Sequence, residues 1–98
     1  MEEGIPQPDR LLLVEDNPAD AHLVRELLSE VCPDAVVEVA ERLADGVARL
    51  AERPLPDAVL CDLGLPDARG EEVVAGLAAA APDCPLVVLS GQDDPEVA

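Results

Sequence analysis

Three apolar runs in this chain are each followed at once by acids or a hydroxyl. Glu15 and Asp16 follow Leu11 to Val14, Asp62 follows Ala58 to Cys61, and Ser90 with Gly91 follows Leu86 to Leu89. Carboxylates and hydroxyls are hard oxygen donors, and three acids with one hydroxyl gathered on one edge would suit a cation such as Mg2+. Without a cation the acids would repel one another, and at least one pKa would rise. Taken singly, each of these residues marks only a place where a strand meets water. The chemistry therefore depends on whether the fold brings them together.

The elements that would do so can be read from periodicity. Leu11 to Val14 is a short continuous apolar run of the type buried on both faces of a sheet. It stops at Glu15-Asp16-Asn17-Pro18, where Asn17 or Asp16 can cap a helix and Pro18 suits the first turn. That helix is expected to reach Val31, with Ala21, Val24, Leu27, Leu28 and Val31 on its buried side, and to end at Pro33. Ala35 to Ala40 reads as a second strand and Leu43 to Arg53 as a second helix with Leu43, Val47, Leu50 and Ala51 inward, broken by Pro54 and Pro56. Ala58 to Cys61 is the third strand, Asp62 to Gly70 a turn-rich loop, and Glu71 to Ala81 the third helix. Leu86 to Leu89 is the fourth strand, and Ser90 to Pro95 reads as the loop and cap of a helix that barely starts. Short apolar strands alternating with amphipathic helices predict an open parallel α/β sheet with right-handed crossovers. In such a sheet the ligand site lies beyond the carboxyl ends of the strands, near the point where strand order reverses.

Composition removes other functions. Six basic and twenty-two acidic residues give a formal net charge of −16, which repels phosphate backbones and anionic lipid heads. The chain has no Phe, Tyr or Trp, so it lacks the stacking platforms of single-strand binders and the aromatic belts of membrane proteins. Direct contact with nucleic acid or a membrane is not expected. The acidic, Pro-broken start Met1 to Pro6 is unlike a secretory signal and suggests a cytoplasmic location. Cys32, Cys61 and Cys84 are odd in number and widely spaced, which predicts free thiols, and His22 is expected to face solvent on the first helix. At 98 residues the chain holds one domain, read as a loose tail over 1–9 and a folded part over 10–98.

Taken together, the motifs resemble the receiver domain of bacterial two-component response regulators, a flavodoxin-like phosphoacceptor module. The resemblance rests on Asp62, Pro66 and Gly70 as the phosphorylation-site loop, on Val14 to Asn17 as the acidic metal-binding pair, and on Val87 to Gly91 as the fourth strand with its hydroxyl residue and small neighbour. It implies that Asp62 takes a phosphoryl group from the phosphohistidine of a sensor histidine kinase or phosphotransfer protein. Glu15, Asp16 and Asp62 would hold Mg2+ with the backbone carbonyl of Gly64. Ser90 and the Gly91 amide would bind the transferred phosphoryl oxygens, and movement of Ser90 would report the event. It also implies strand order 2-1-3-4-5, helices on both faces, no enzymatic turnover beyond self-phosphorylation and slow dephosphorylation, and an output through a downstream effector domain or a homodimer.

The sequence departs from the family in two places. It has no Lys, whereas the family places one at the end of its fifth strand, and no aromatic switch residue. The expectation is an incomplete receiver lacking most of helix four, strand five and helix five, with strand four left as an edge that invites association. Loss of that Lys also leaves open a phosphorylation-independent interaction module, or pseudo-receiver. Arg69, in the loop after Asp62, reads as a solvated residue. A haloacid-dehalogenase-like hydrolase would need an acid where Gly64 stands, and no Gly-x-Gly-x-x-Gly follows strand one to bind a dinucleotide.

Overall fold

The apolar runs fold as four parallel strands, and the amphipathic segments between them as three helices. The computed structural model describes residues 8–89, in the order β1 (Arg10–Val14), α1 (Pro18–Val31), β2 (Val36–Ala40), α2 (Leu43–Leu50), β3 (Ala58–Asp62), α3 (Glu71–Ala80) and β4 (Leu86–Leu89). The sheet order is β2-β1-β3-β4, with every neighbouring pair parallel. This is the expected α/β architecture, and the chain reverses its direction across the sheet between β1 and β3. Right-handed crossovers place α1 on one face of the sheet and α2 with α3 on the other.

Registry follows the pleat. Leu12 lies opposite Glu38 on one side and Val59 on the other, and Cys61 lies opposite both Val14 and Val88. Leu12, Val14, Val59 and Cys61 join Leu50, Val73 and Leu77 in one buried cluster, the core between the sheet and the α2–α3 layer. Alternation turns Leu11 and Leu13 to the other face, where both are also buried. The α2–α3 seam is closed by two glycines. A Cβ at Gly46 would lie 3.2 Å from Val14 and 3.3 Å from Leu77, and one at Gly76 would lie 3.1 Å from Leu43. Absence of those side chains is what lets α2 settle against β1 and α3 against α2.

Three details differ from the periodicity. First, α2 ends at Leu50 rather than Arg53. The amides of Ala51 and Glu52 donate to Ala48 and Arg49, a tightened last turn, and Arg53 precedes a proline, which disfavours helical backbone. Arg49 secures this end by donating to the Glu38 carboxylate and the Pro54 carbonyl. Second, the inward face of α1 is narrower than expected. Ala21 is buried and Val24 and Leu28 are half-buried, but Leu27 is 54% exposed and Val31 69%. Positions 21, 24 and 28 fall within about 60° of each other on a 3.6-residue helix, Leu27 lies on its flank, and Val31 sits in the last turn. Third, Ala51 faces solvent rather than the core. Val87 and Val88 of β4 are also exposed; among the described residues β4 pairs with β3 alone.

At the amino ends of the strands, Asp57 works as a clip. One oxygen of its carboxylate accepts from the amides of Asp9 (2.7 Å) and Arg10 (3.0 Å), and the Asp57 amide donates to the Arg10 carbonyl, tying β1 to β3. Those amide bonds hold the carboxyl below the usual aspartate range. A depressed folded-state pKa gives stability that is present above the unfolded-state value and is lost as pH falls through the folded one. Wild type should therefore melt above Asp57→Asn at neutral pH, and the gap should close only as pH falls below the ordinary carboxylate range. Thermal melts followed by circular dichroism between pH 7 and pH 2.5 or so measure it; a constant gap would refute the assignment.

The three cysteines are free, with Cys61 fully buried. Burial, helped by neighbouring Asp62, pushes the Cys61 thiol up, which keeps it a packing residue and not a nucleophile. His22 is exposed and meets Glu26 at 3.0 Å one turn on. Among the described residues no helix is long and apolar enough to cross a membrane.

Candidate functional site

The reversal between β1 and β3 sets two strand ends side by side, and the acids behind them converge. One carboxylate oxygen from each of Glu15, Asp16 and Asp62 lies within 4.8 Å of the others. Asp62 is the last residue of β3, while Glu15 and Asp16 follow β1 directly. Glu15 is fixed from both ends: its amide donates to the Ala40 carbonyl at 2.8 Å, and its carboxylate accepts the Asn17 amide at 3.1 Å. Asn17 in turn caps α1, its side-chain oxygen accepting from Ala19 (2.9 Å) and Asp20 (3.2 Å). The turn after β1 therefore presents both acids from an ordered backbone.

Glu15 is only 5% exposed, the one charged residue buried among those described. Burial raises its pKa above the usual glutamate range, the Asn17 amide opposes this, and the charges of Asp62, Asp20 and Asp16 raise it further. Three acids held this close repel one another, and a hard divalent cation would relieve that repulsion. The all-oxygen donor set suits a hard cation such as Mg2+, held by these carboxylates directly or through water.

The loop after Asp62 is a small closed hairpin. Gly64 bridges antiparallel to Arg69, the Leu65 amide donates to the Ala68 carbonyl (3.0 Å), and the Gly70 amide donates to the Leu63 carbonyl (2.8 Å). Leu65 and Ala68 are buried in the core, which leaves Pro66 and Asp67 at the tip. Gly70, which caps α3, has φ 55° and ψ −122°, a conformation that L side chains avoid. A Cβ there would meet nothing within 4 Å, so Gly70→Ala should cost about 1–3 kcal/mol through backbone strain alone. Chemical denaturation measures it, and a loss no larger than that of an exposed-helix substitution would refute it. Arg69 is exposed, as expected.

The structure thus brings together Glu15, Asp16 and Asp62 and places Gly64 two residues beyond Asp62, exposed in the bridge to Arg69. Ser90 and Gly91 lie outside the described residues. Sequence reading passed over Asp67, both of whose oxygens accept amides from α2; its only signal was an acid beside a turn-forming Pro.

An open parallel sheet with three acids gathered at its switch point defines a doubly wound α/β module. A profile described as "Response regulator receiver domain" matches residues 11–98, and the chain belongs to that family. Response regulator Rcp1 of Synechocystis sp. is 38% identical over 77 residues, covering 69% of this chain and 50% of that protein. Acid tolerance regulatory protein ActR of Rhizobium meliloti is 34% identical over 85 residues, covering 86% of this chain and 42% of ActR. The chain therefore spans half or less of the length of these relatives. Among solved structures, the phosphorylated cyanobacterial phytochrome response regulator RcpA superposes with a TM-score of 0.75 at 31% identity, over 90% of this chain and 69% of that one. MaeR bound to beryllium trifluoride superposes with a TM-score of 0.75 at 22% identity, over 91% and 72%, a likeness of fold.

Proposed function

We propose that this receiver domain accepts a phosphoryl group on Asp62 from the phosphohistidine of a sensor kinase or phosphotransfer protein. The observation that carries the reading is the convergence of Glu15, Asp16 and Asp62 at the switch point of the sheet. A carboxylate approaching a phosphoryl group brings like charges together. Bound Mg2+ would supply charge neutralisation and alignment of that approach. Glu15 and Asp16 would hold it with Asp62 and the Gly64 carbonyl, while the ordered turn after β1 keeps both acids in place. One Asp62 oxygen forms the new bond to phosphorus as the bond to the histidine nitrogen breaks, and the electron pair and a proton return to the imidazole. Ser90 and the Gly91 amide would receive the phosphoryl oxygens, and a shift of Ser90 would carry the signal to an effector domain or a second copy.

In this reading the domain is a signalling phosphoprotein and not an enzyme with turnover, it acts in the cytoplasm, and residues 10–98 belong to the receiver domain. The alternative reading is a receiver fold used for binding without phosphorylation. Incubation with Mg2+ and acetyl phosphate separates the two. One added phosphoryl group by intact mass, absent from Asp62→Asn, supports the first reading. No adduct on folded protein supports the second.

A further inference from the structure

Asp67 stands outside the acidic pocket, at the tip of the hairpin that follows Asp62, and reaches across to another element. Its Oδ1 accepts the Leu43 amide at 2.8 Å and its Oδ2 the Ala44 amide at 3.0 Å, the first two amides of α2. The residue in the capping position of that helix, Arg42, makes no side-chain capping bond. The opening amides of a helix have no partner within it, and an anion there also meets the positive end of the helix dipole. Asp67 thus supplies in trans the cap that the local sequence lacks, and these two bonds hold its carboxyl below the usual aspartate range.

The receiving end does not depend on Asp67 alone. Leu43 packs over Gly76 of α3, so the start of α2 is seated on its neighbour independently of the loop. The loop tip has less to hold it: Pro66 donates no amide bond, and Leu65 and Ala68 anchor only its flanks. Loss of the carboxylate should free the hairpin while leaving α2 in place.

We propose that Asp67 is a positioning residue: by clamping the hairpin tip to the start of α2 it fixes the loop that carries Gly64, and so sets the affinity of the neighbouring acidic pocket for Mg2+. The clause about Mg2+ rests on the phosphoacceptor reading above; the clamp itself does not.

A matched control exists in the same molecule. Asp57 is likewise an exposed aspartate accepting two backbone amides, but at the amino ends of the strands. Mg2+ affinity can be measured by titration calorimetry, since a chain without aromatic residues gives no fluorescence signal. Amide exchange of Leu65 and Gly70, read by NMR, reports the hairpin directly. Asp67→Ala should bind Mg2+ about tenfold more weakly and speed exchange of both amides by about tenfold, with Asp67→Asn, which keeps one acceptor oxygen of the two, falling between it and wild type. Asp57→Ala should match wild type in both readouts despite its lower stability. Equal behaviour of Asp67→Ala and Asp57→Ala in affinity and exchange would overturn the proposal. If wild type takes up no Mg2+, the phosphoacceptor reading falls, and faster exchange confined to Asp67→Ala still upholds the clamp.

Discussion

Asp62→Asn is expected to abolish phosphoryl uptake and, in metal-free buffer, to make the fold more stable. Position 62 ends β3 beside Glu15, a carboxyl raised first by burial and further by the Asp62 charge. Removing that charge relieves repulsion within the pocket, and the amide keeps the size of the side chain. A gain of about 0.5–2 kcal/mol is typical when a functional site is relieved in this way. Magnesium reverses the order. A ligand bound only by the folded state at about 100 times its dissociation constant adds about 2.7 kcal/mol, which wild type should gain and Asp62→Asn should largely lose. Thermal unfolding with and without Mg2+ reads both signs. A variant less stable than its parent in chelator would sink the claim that this pocket stores repulsion.

The second large effect is in the core. Leu12 is 1% exposed at the centre of β1, between Glu38 of β2 and Val59 of β3 in register. No aromatic residue is present to fill space, so aliphatic side chains carry the packing alone. Leu12→Ala removes part of that packing and opens a cavity that the paired strands cannot close, at a cost of about 2–5 kcal/mol. A domain this size has a total stability of roughly 5–15 kcal/mol, and each kilocalorie is worth about 4–8 °C at the midpoint. The melting point should therefore drop by at least about 8 °C. Leu27→Ala, at a residue 54% exposed on α1, should change stability by no more than about 0.5 kcal/mol. Similar losses from the two substitutions would refute the assignment of the core.

The elements were legible because each was short and strongly patterned. Pro18, with Asn17 before it, marked the start of α1, and the run Leu11 to Val14 could be nothing longer than a buried strand. The three acids were legible for a related reason: parallel topology sends every strand's carboxyl end to one edge, so position behind a strand decides position in space. What escaped was whatever depends on contact between distant segments. Asp67 and Asp57 look alike in sequence, two solvated loop acids, and only the fold reveals that one clamps a helix at the site while the other clips two strands far from it. The limits of α1's inward face were hidden because a helical stripe tells which side is apolar, not how much of it the sheet can cover. Arg49 was passed over because its carboxylate partner lies on β2, eleven residues earlier in the chain.

The two faces of the sheet are gripped unequally. On one side α2 and α3 mesh through Gly46 and Gly76 with no room for a further methyl group, whereas α1 commits only Ala21 to full burial. Among the described residues the sheet is thus covered more closely on the α2–α3 side than on the α1 side. Because Asn17 both caps α1 and donates its backbone amide to Glu15, a displacement of that helix would be felt at the carboxylates, which makes the α1 side of the sheet the one through which a docked partner could act on the acids.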